Sequence, residues 1–559
     1  ENTKLHTPVL QALKLGIELL PKSLGLGMQV ASQCYGKLSK ICQASEEEPL
    51  YRIRVLVELF RCLSRFDDPQ FFEAITSNGV GYTEHKNIIN KCLECSLDEQ
   101  NNKDQQDGDL WTLFLRLETL YFSLRLLKLC GILAKSHIVA DLEFWLELLL
   151  AHLFSFHESY NSALKKECYN NIRKTTRDSL ELLLKLIPRD EQIKLEKWPK
   201  IKKDIKDIYA DKMVKFVGIV PDWAPIWCIV LDVLNGELIR KGNNHLINKL
   251  LNVEERAFKY DRIEVRVQAF ICWRHLIDKF LPPCVEVSSD GVQRSVRLLV
   301  QPLQPNNAKT DIMSRQKLNT WWHLVRHLET GIEKHLRTVL VPFLHYCFGS
   351  SKSKEVAPGK KFPALHIPCA QVLSYILDLE PVGQPVQEES LHKKNVEECS
   401  VDPCNVPLLN NCNLFLEISE EVLYCVGESI VILSSRSEMN ISSQLIVTIW
   451  NHLLRHIAGI LNANDIAAER VVKVIQDLLR LVQNLTEQGI TENSSLAYHC
   501  ISSVLEGLIL GPHALPPSIL SSTSYYVGSA QLMTGTPALF FMEIIMSRSL
   551  LQHAMSHSR

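Results

Sequence analysis

Two histidine pairs are spaced to act together: His323-Leu-Val-Arg-His327 and His452-Leu-Leu-Arg-His456. Residues four apart share one face of a helix, so each pair could present two imidazoles to one ligand. A zinc protease needs a glutamate directly after the first histidine, and both pairs have leucine there. Cys92-Leu-Glu-Cys95 has the spacing of a zinc knuckle, with His85 upstream. A structural zinc takes four ligands, however, and no second Cys-x-x-Cys lies nearby. Cys399 and Cys404 meet the same objection. Gly25-Leu-Gly27 lacks the third glycine of a dinucleotide loop and reads as a helix break. Neither a phosphate-cradling Gly-x-x-x-x-Gly-Lys-Ser/Thr nor a Gly-x-Ser-x-Gly elbow occurs. No catalytic residue, cofactor or metal ligand is therefore expected.

The remaining chemical signal is basic. Lys194, Lys197, Lys200, Lys202, Lys203 and Lys206 crowd one short segment, opposed within it only by Glu196 and Asp204. Trp198 lies inside the run and Tyr209 just beyond it. Such a cluster can neutralise backbone phosphates, the sequence-independent part of nucleic-acid affinity. It can equally be a solvated helix face, and Asp207 and Asp211 dilute it. A second group, Lys352, Lys354, Lys360 and Lys361, falls in an expected loop. Lys212-Met-Val-Lys-Phe216 fits the loose basic-x-Val-x-Phe pattern by which a peptide adds a strand to type-1 protein phosphatase, or else Val214 and Phe216 are core.

Elements long enough to position these groups are helical. From Leu110 to Leu127, apolar residues at 110, 113, 114, 117, 120, 121, 124 and 127 trace one helical stripe. Val471, Val474, Ile475, Leu478, Val482 and Leu485 trace another, with Asn464 or Asp465 to cap it and Gly489 past its end. Leu142–Leu153 and Trp227–Leu234 are apolar nearly all round, as helices sandwiched on two sides must be. Strand candidates are few: Lys215–Val220, Cys284–Val287 and Ile430–Leu433. Loops are expected at 96–109, 349–361, 381–407 and 511–537.

Composition agrees. Of 559 residues, 23 are glycine and 24 proline, too few breakers for a β-sandwich. Sixty-one basic and 63 acidic side chains leave a formal charge of -2, so any DNA contact must be a local stripe. The one stretch of more than ~20 residues without Asp, Glu, Lys or Arg, 507–542, is interrupted by repeated Pro, Ser and Gly, which argues against a membrane span. Seventeen cysteines, an odd number mostly on apolar helical faces, suit reduced core thiols and a cytosolic or nuclear setting. The opening Glu-Asn-Thr-Lys-Leu-His lacks an initiator methionine, as a fragment of a longer protein would. The expected fold is an all-α solenoid of HEAT- or armadillo-like pairs in two lobes. Residues 1–380 would form an N-terminal array, 381–407 a linker and 408–559 its continuation.

One stretch is more specific. Between Glu237 and Leu328, Leu250, Glu254 and Phe258 precede Ala269-Phe270-x-x-Trp273-x-x-Leu276-Ile277-Asp278-x-Phe280. Leu298, Leu299, Pro302, Leu303, Lys309, Thr310, Lys317, Leu318, Trp321 and Trp322 follow. This stretch resembles the N-terminal HEAT-like domain of the telomere-associated Rif family (Rap-one-interacting factor). Physically its residues read as scaffold. Phe270, Trp273, Ile277 and Phe280 form one stripe, Trp321 and Trp322 pack beside it, and Asp278 serves a local hydrogen bond.

The resemblance implies a nuclear, telomere-associated chromatin scaffold acting in replication timing, telomere maintenance and double-strand-break repair. It implies DNA, a phosphorylated repair adaptor and type-1 protein phosphatase as partners, the last through disordered regions outside the helical domain. The competing reading is a cytosolic adaptor or transport-receptor solenoid that binds peptide segments.

Overall fold

A computed structural model describes residues 106–133, 140–154, 163–186, 198–234, 244–281, 290–304, 308–350, 356–377 and 412–434, with shorter stretches and single positions elsewhere between 53 and 481. Among these residues every regular element is a helix, and none is long and apolar enough to cross a membrane. The chain divides into two compact units, Glu1–Lys259 and Tyr260–Arg559. Within each, helices near in sequence stack side by side, the arrangement of an α-solenoid.

In the first unit, α1 (Gln106–Leu133) packs along α3 (Ala163–Leu186), and α2 (Leu142–Leu153) lies against the same helix. The single apolar stripe expected on α1 understates its burial. Tyr121 is 36% exposed, whereas Thr112, Arg116, Thr119 and Ser123 are buried along another face. Thr119 and Ser123 donate to the carbonyls of Leu115 and Thr119, and on α3 Thr176 and Ser179 donate to those of Ile172 and Thr175. Each hydroxyl is thus satisfied by its own helix, so small polar residues can line a close helix–helix contact. At its start α1 includes 106–109, the end of the expected 96–109 loop.

After α3 come α4 (Trp198–Asp204), a π-turn (Ile205–Tyr209) and α5 (Ala210–Phe216), continuous with one another. Then follow α6 (Trp223–Leu234) and α7 (Asn244–Phe258). Trp145, Trp223 and Trp227 are buried in this unit, and Trp227 Nε1 donates to the Leu250 carbonyl at 3.3 Å. Buried Arg173 on α3 reaches Asp222 at 3.2 Å, just ahead of α6. The strand expected at Lys215–Val220 is instead the end of α5 followed by a turn, because the Phe216 carbonyl takes the amides of Ile219 and Val220.

The second unit begins with α8 (Ile263–Phe280), α9 (Asp290–Val300) and α10 (Asp311–Leu328). Leu281 caps α8 through its amide to the Ile277 carbonyl, and Pro282-Pro283 follow in sequence, where helix cannot continue. Thr310 caps α10 by accepting from the Met313 amide, and Asp311 pairs with Arg315 one turn on at 2.7 Å. The array continues through α11 (Val341–Phe348), the short α12 (Pro358–Lys361), α13 (His366–Ile376), α14 (Cys412–Glu417) and α15 (Ser419–Ser434).

Gly349 ends α11 at φ +86, a conformation glycine adopts without strain. Part of the expected 349–361 loop packs tightly: a Cβ on Gly359 would lie 2.0 Å from the Cys347 carbonyl oxygen. The Ile430–Leu433 strand candidate is helix within α15. Cys284–Val287, the 381–407 linker, the 511–537 loop and most of the 471–485 stripe lie outside the described residues, although Val474 and Leu478 are buried.

Candidate nucleic-acid interface

The lysine cluster becomes a ridge because α4, the π-turn and α5 form one rod whose inner face is apolar. Ile201, Ile205, Ala210, Met213 and Phe216 are buried, and the lysines between them must point elsewhere. Lys200, Lys203, Lys212 and Lys215 are exposed, and Lys202 and Lys206 half-buried. Desolvation lowers the Lys202 ammonium below its ordinary range. Lys194 and Lys197 lie outside the described residues.

Acidic neighbours take up part of this charge. Lys200 Nζ meets Glu147 of α2 at 2.7 Å, and Lys206 lies 3.9 Å from Asp207. Asp211 is held at 3.2 Å by Lys249, which α7 brings alongside the rod. Lys249 therefore adds a cation where the sequence showed only a diluting aspartate. It stands 38 residues from Asp211, so no local pattern could have found it.

Tyr209 is scaffold rather than a stacking platform for bases. Its ring lies on Phe154 with centroids 4.6 Å apart, and burial pushes its hydroxyl up to about 12. Phe216 packs against Phe154 from the other side of the turn at 5.7 Å and is buried. A peptide that docks by strand addition must be extended with its anchors free. Lys212–Phe216 is helical with Phe216 inside, which is not that geometry. In the second lysine group, Lys360 pairs with Glu428 and sits 5.9 Å from the Tyr424 ring, and Lys361 lies over Phe362. Lys352 and Lys354 lie outside the described residues.

The tryptophan-rich stretch lies inward. Phe270, Trp273, Ile277 and Phe280 of α8 and Trp321 and Trp322 of α10 are all buried, at 5% exposure or less. Trp273 Nε1 donates to the Leu299 carbonyl at 2.9 Å, tying α8 to α9. Trp321 stacks on Phe343 of α11 at 5.8 Å, and Trp322 on Tyr375 of α13 at 6.1 Å. Lys317 is buried in the same seam, with its ammonium 5.2 Å from the Tyr346 ring, and desolvation lowers it to about 7.

At the seam's edge Asp278 of α8 meets both histidines of the first pair. Its Oδ1 lies 2.6 Å from His323 Nε2 and 2.9 Å from His327 Nε2. Burial would raise the Asp278 carboxyl, but hydrogen bonds from the two imidazoles outweigh it and hold the group below the usual carboxylate range. Burial likewise opposes charge on His327, yet Asp278 and the Leu281 carbonyl raise its pKa. The second pair, His452 and His456, lies outside the described residues, as do His85, Cys95, Cys399 and Cys404. Cys92, Cys168, Cys272, Cys347, Cys369 and Cys425 are buried, and Cys228 is half-buried.

Residues 125–339 match the family model described as Rap1-interacting factor 1 N terminal. The telomere-associated protein RIF1 of Mus musculus is 24% identical over 360 residues, covering 58% of this chain and 14% of that protein. Its counterpart in Drosophila melanogaster is 27% identical over 201 residues, covering 34% and 13%. The chain thus matches only a small part of the length of these relatives. Among solved structures, the Rif1 N-terminal domain from Saccharomyces cerevisiae overlaps 94% of this chain and 61% of its own, at 12% identity and TM-score 0.36. The same domain in complex with DNA overlaps 93% and 54%, at 13% identity and TM-score 0.36. The matched stretch 125–339 takes in both the lysine ridge and the tryptophan seam, and over it the chain is similar to the N-terminal region of the Rif1 family.

Proposed function

We propose that the chain is a non-enzymatic chromatin scaffold that binds DNA along the α4–α5 ridge. The supporting observation is the ridge itself: one rod with six lysines against three aspartates from 198 to 216, four of the lysines exposed, and Lys249 holding one of the aspartates. Lys194 and Lys197 precede it in sequence. Ammonium groups spaced along a rod suit a phosphate backbone, which is read as charge and not as sequence. Chemistry is no part of this reading, because the conspicuous aromatic and polar groups of the matched stretch are occupied with packing.

Similarity to the Rif1 family supports the wider reading: a nuclear protein of telomeric chromatin, acting in replication timing, telomere maintenance and double-strand-break repair. A phosphorylated repair adaptor is a partner in that reading. So is type-1 protein phosphatase, engaged through segments other than Lys212–Phe216.

The test is fluorescence anisotropy with a labelled duplex, using the whole chain and its Lys200→Glu/Lys202→Glu/Lys203→Glu variant. Reversing three phosphate contacts should weaken binding by at least about tenfold at moderate salt. Equal affinity for the two proteins would remove the ridge from the proposal.

A further inference from the structure

The Asp278, His323 and His327 cluster brings three metal-ligating side chains from two helices to one point. The Leu281 carbonyl can only accept a hydrogen bond, so His327 Nδ1, 3.0 Å away, carries a proton. That leaves Nε2 as the ring nitrogen facing Asp278 Oδ1, 2.9 Å away. A backbone carbonyl on one nitrogen with the other nitrogen free is how metal-binding histidines are held in the required tautomer.

His323 and His327 stand one turn apart on α10, their ring centroids separated by 4.6 Å, and both Nε2 atoms converge on Asp278 from α8. All three ligand atoms lie within 4.8 Å of one another. The side chains are partly open, at 41% exposure for Asp278, 26% for His323 and 22% for His327. A fourth ligand can therefore come from water.

We propose that Asp278, His323 and His327 form a binding site for a zinc-class divalent transition metal. The ion would join α8 to α10 at the edge of the tryptophan seam. Two imidazoles and a carboxylate are the donors that zinc and its neighbours prefer, whereas magnesium and calcium favour all-oxygen sites. Metal–ligand bonds of about 2.0–2.2 Å set ligand atoms roughly 3.3 Å apart in a tetrahedron. The carboxylate must therefore withdraw by about half an ångström from its present hydrogen bonds, a small movement for a side chain this exposed. The sites that the missing glutamate and the missing second Cys-x-x-Cys excluded were a zinc protease and a zinc knuckle. This one takes its third ligand from another helix, 45 residues before His323.

The experiment is competition for zinc against a chromophoric chelator, using the whole reduced chain and its His323→Gln/His327→Gln variant. The cysteines can hold zinc as well, so the readout is the difference between the two proteins. The proposal requires one equivalent fewer in the variant and an upward shift of the thermal midpoint with zinc in the wild type only. Cobalt(II) added to the wild type supplies a second readout, free of any question about how the variant folds. The proposal requires a visible ligand-field spectrum of nitrogen and oxygen donors, separate from any sulfur-to-cobalt charge transfer that the cysteines add. Equal stoichiometry in the two proteins, or a cobalt spectrum of thiolate ligation alone, would overturn it and leave the cluster as a hydrogen-bonded clasp.

Discussion

Lysine plays opposite parts in the two regions of this chain that matter most. On the α4–α5 ridge, Lys200, Lys203, Lys212 and Lys215 are exposed. In the α8–α10 seam, Lys317 is 1% exposed, lies against the Tyr346 ring and is lowered to about 7. The seam carries the most specific sequence pattern and turns it inward to hold the stack. The ridge carries a pattern any solvated helix might show, yet it faces outward, where a ligand can reach it. Specificity of sequence thus marks the fold here, whereas binding capacity depends on how separate helices place ordinary charges.

Breaking the seam gives the largest expected effect. Trp273→Ala removes a buried indole and the hydrogen bond to Leu299, and should cost about 3–5 kcal/mol in urea unfolding followed by circular dichroism. A loss under about 1 kcal/mol would mean that Trp273 is not part of the spine.

Lys317 gives the next effect. Its pKa is lower folded than unfolded, so between about 7 and 10.5 the unfolded chain binds more protons and stability rises with pH. Below that window both states are protonated and the burial penalty is complete. Lys317→Met should remove the slope, on the order of a few kcal/mol across the window. Unfolding curves measured from pH 7 to 10 check this, and equal slopes in the two proteins would contradict it.

The smallest effect belongs to Lys249→Ala, which releases Asp211 to face the ridge. The pair is exposed, so stability should change by under about 1 kcal/mol. DNA affinity should fall by less than about fivefold, within the range of one screened surface contact. A loss as large as that of the triple lysine variant would place the binding centre on α7 instead.

The all-α class was legible in the sequence because helical periodicity and scarce breakers both act locally. The inward stripe of α8 was legible for the same reason, since Phe270, Trp273, Ile277 and Phe280 repeat at helical spacing. The buried polar face of α1 was not. Thr112, Arg116, Thr119 and Ser123 look solvent-facing in the sequence, yet all four are buried, and the hydroxyls of Thr119 and Ser123 turn back onto their own helix. Lys249 beside Asp211, and Asp278 between His323 and His327, were hidden because each joins residues from helices far apart in sequence. Asp278 was expected to make a local hydrogen bond; its partners came from α10.

The most direct measurement is the salt dependence of duplex binding, comparing the whole chain with its Lys203→Glu/Lys212→Glu/Lys215→Glu variant. The slope of log affinity against log salt is about −0.9 per phosphate neutralised. If these three exposed lysines each meet a phosphate, the variant's slope should be shallower by about 2.7. Parallel slopes at unequal affinity, or a wild type whose binding barely responds to salt, would contradict a phosphate-binding ridge.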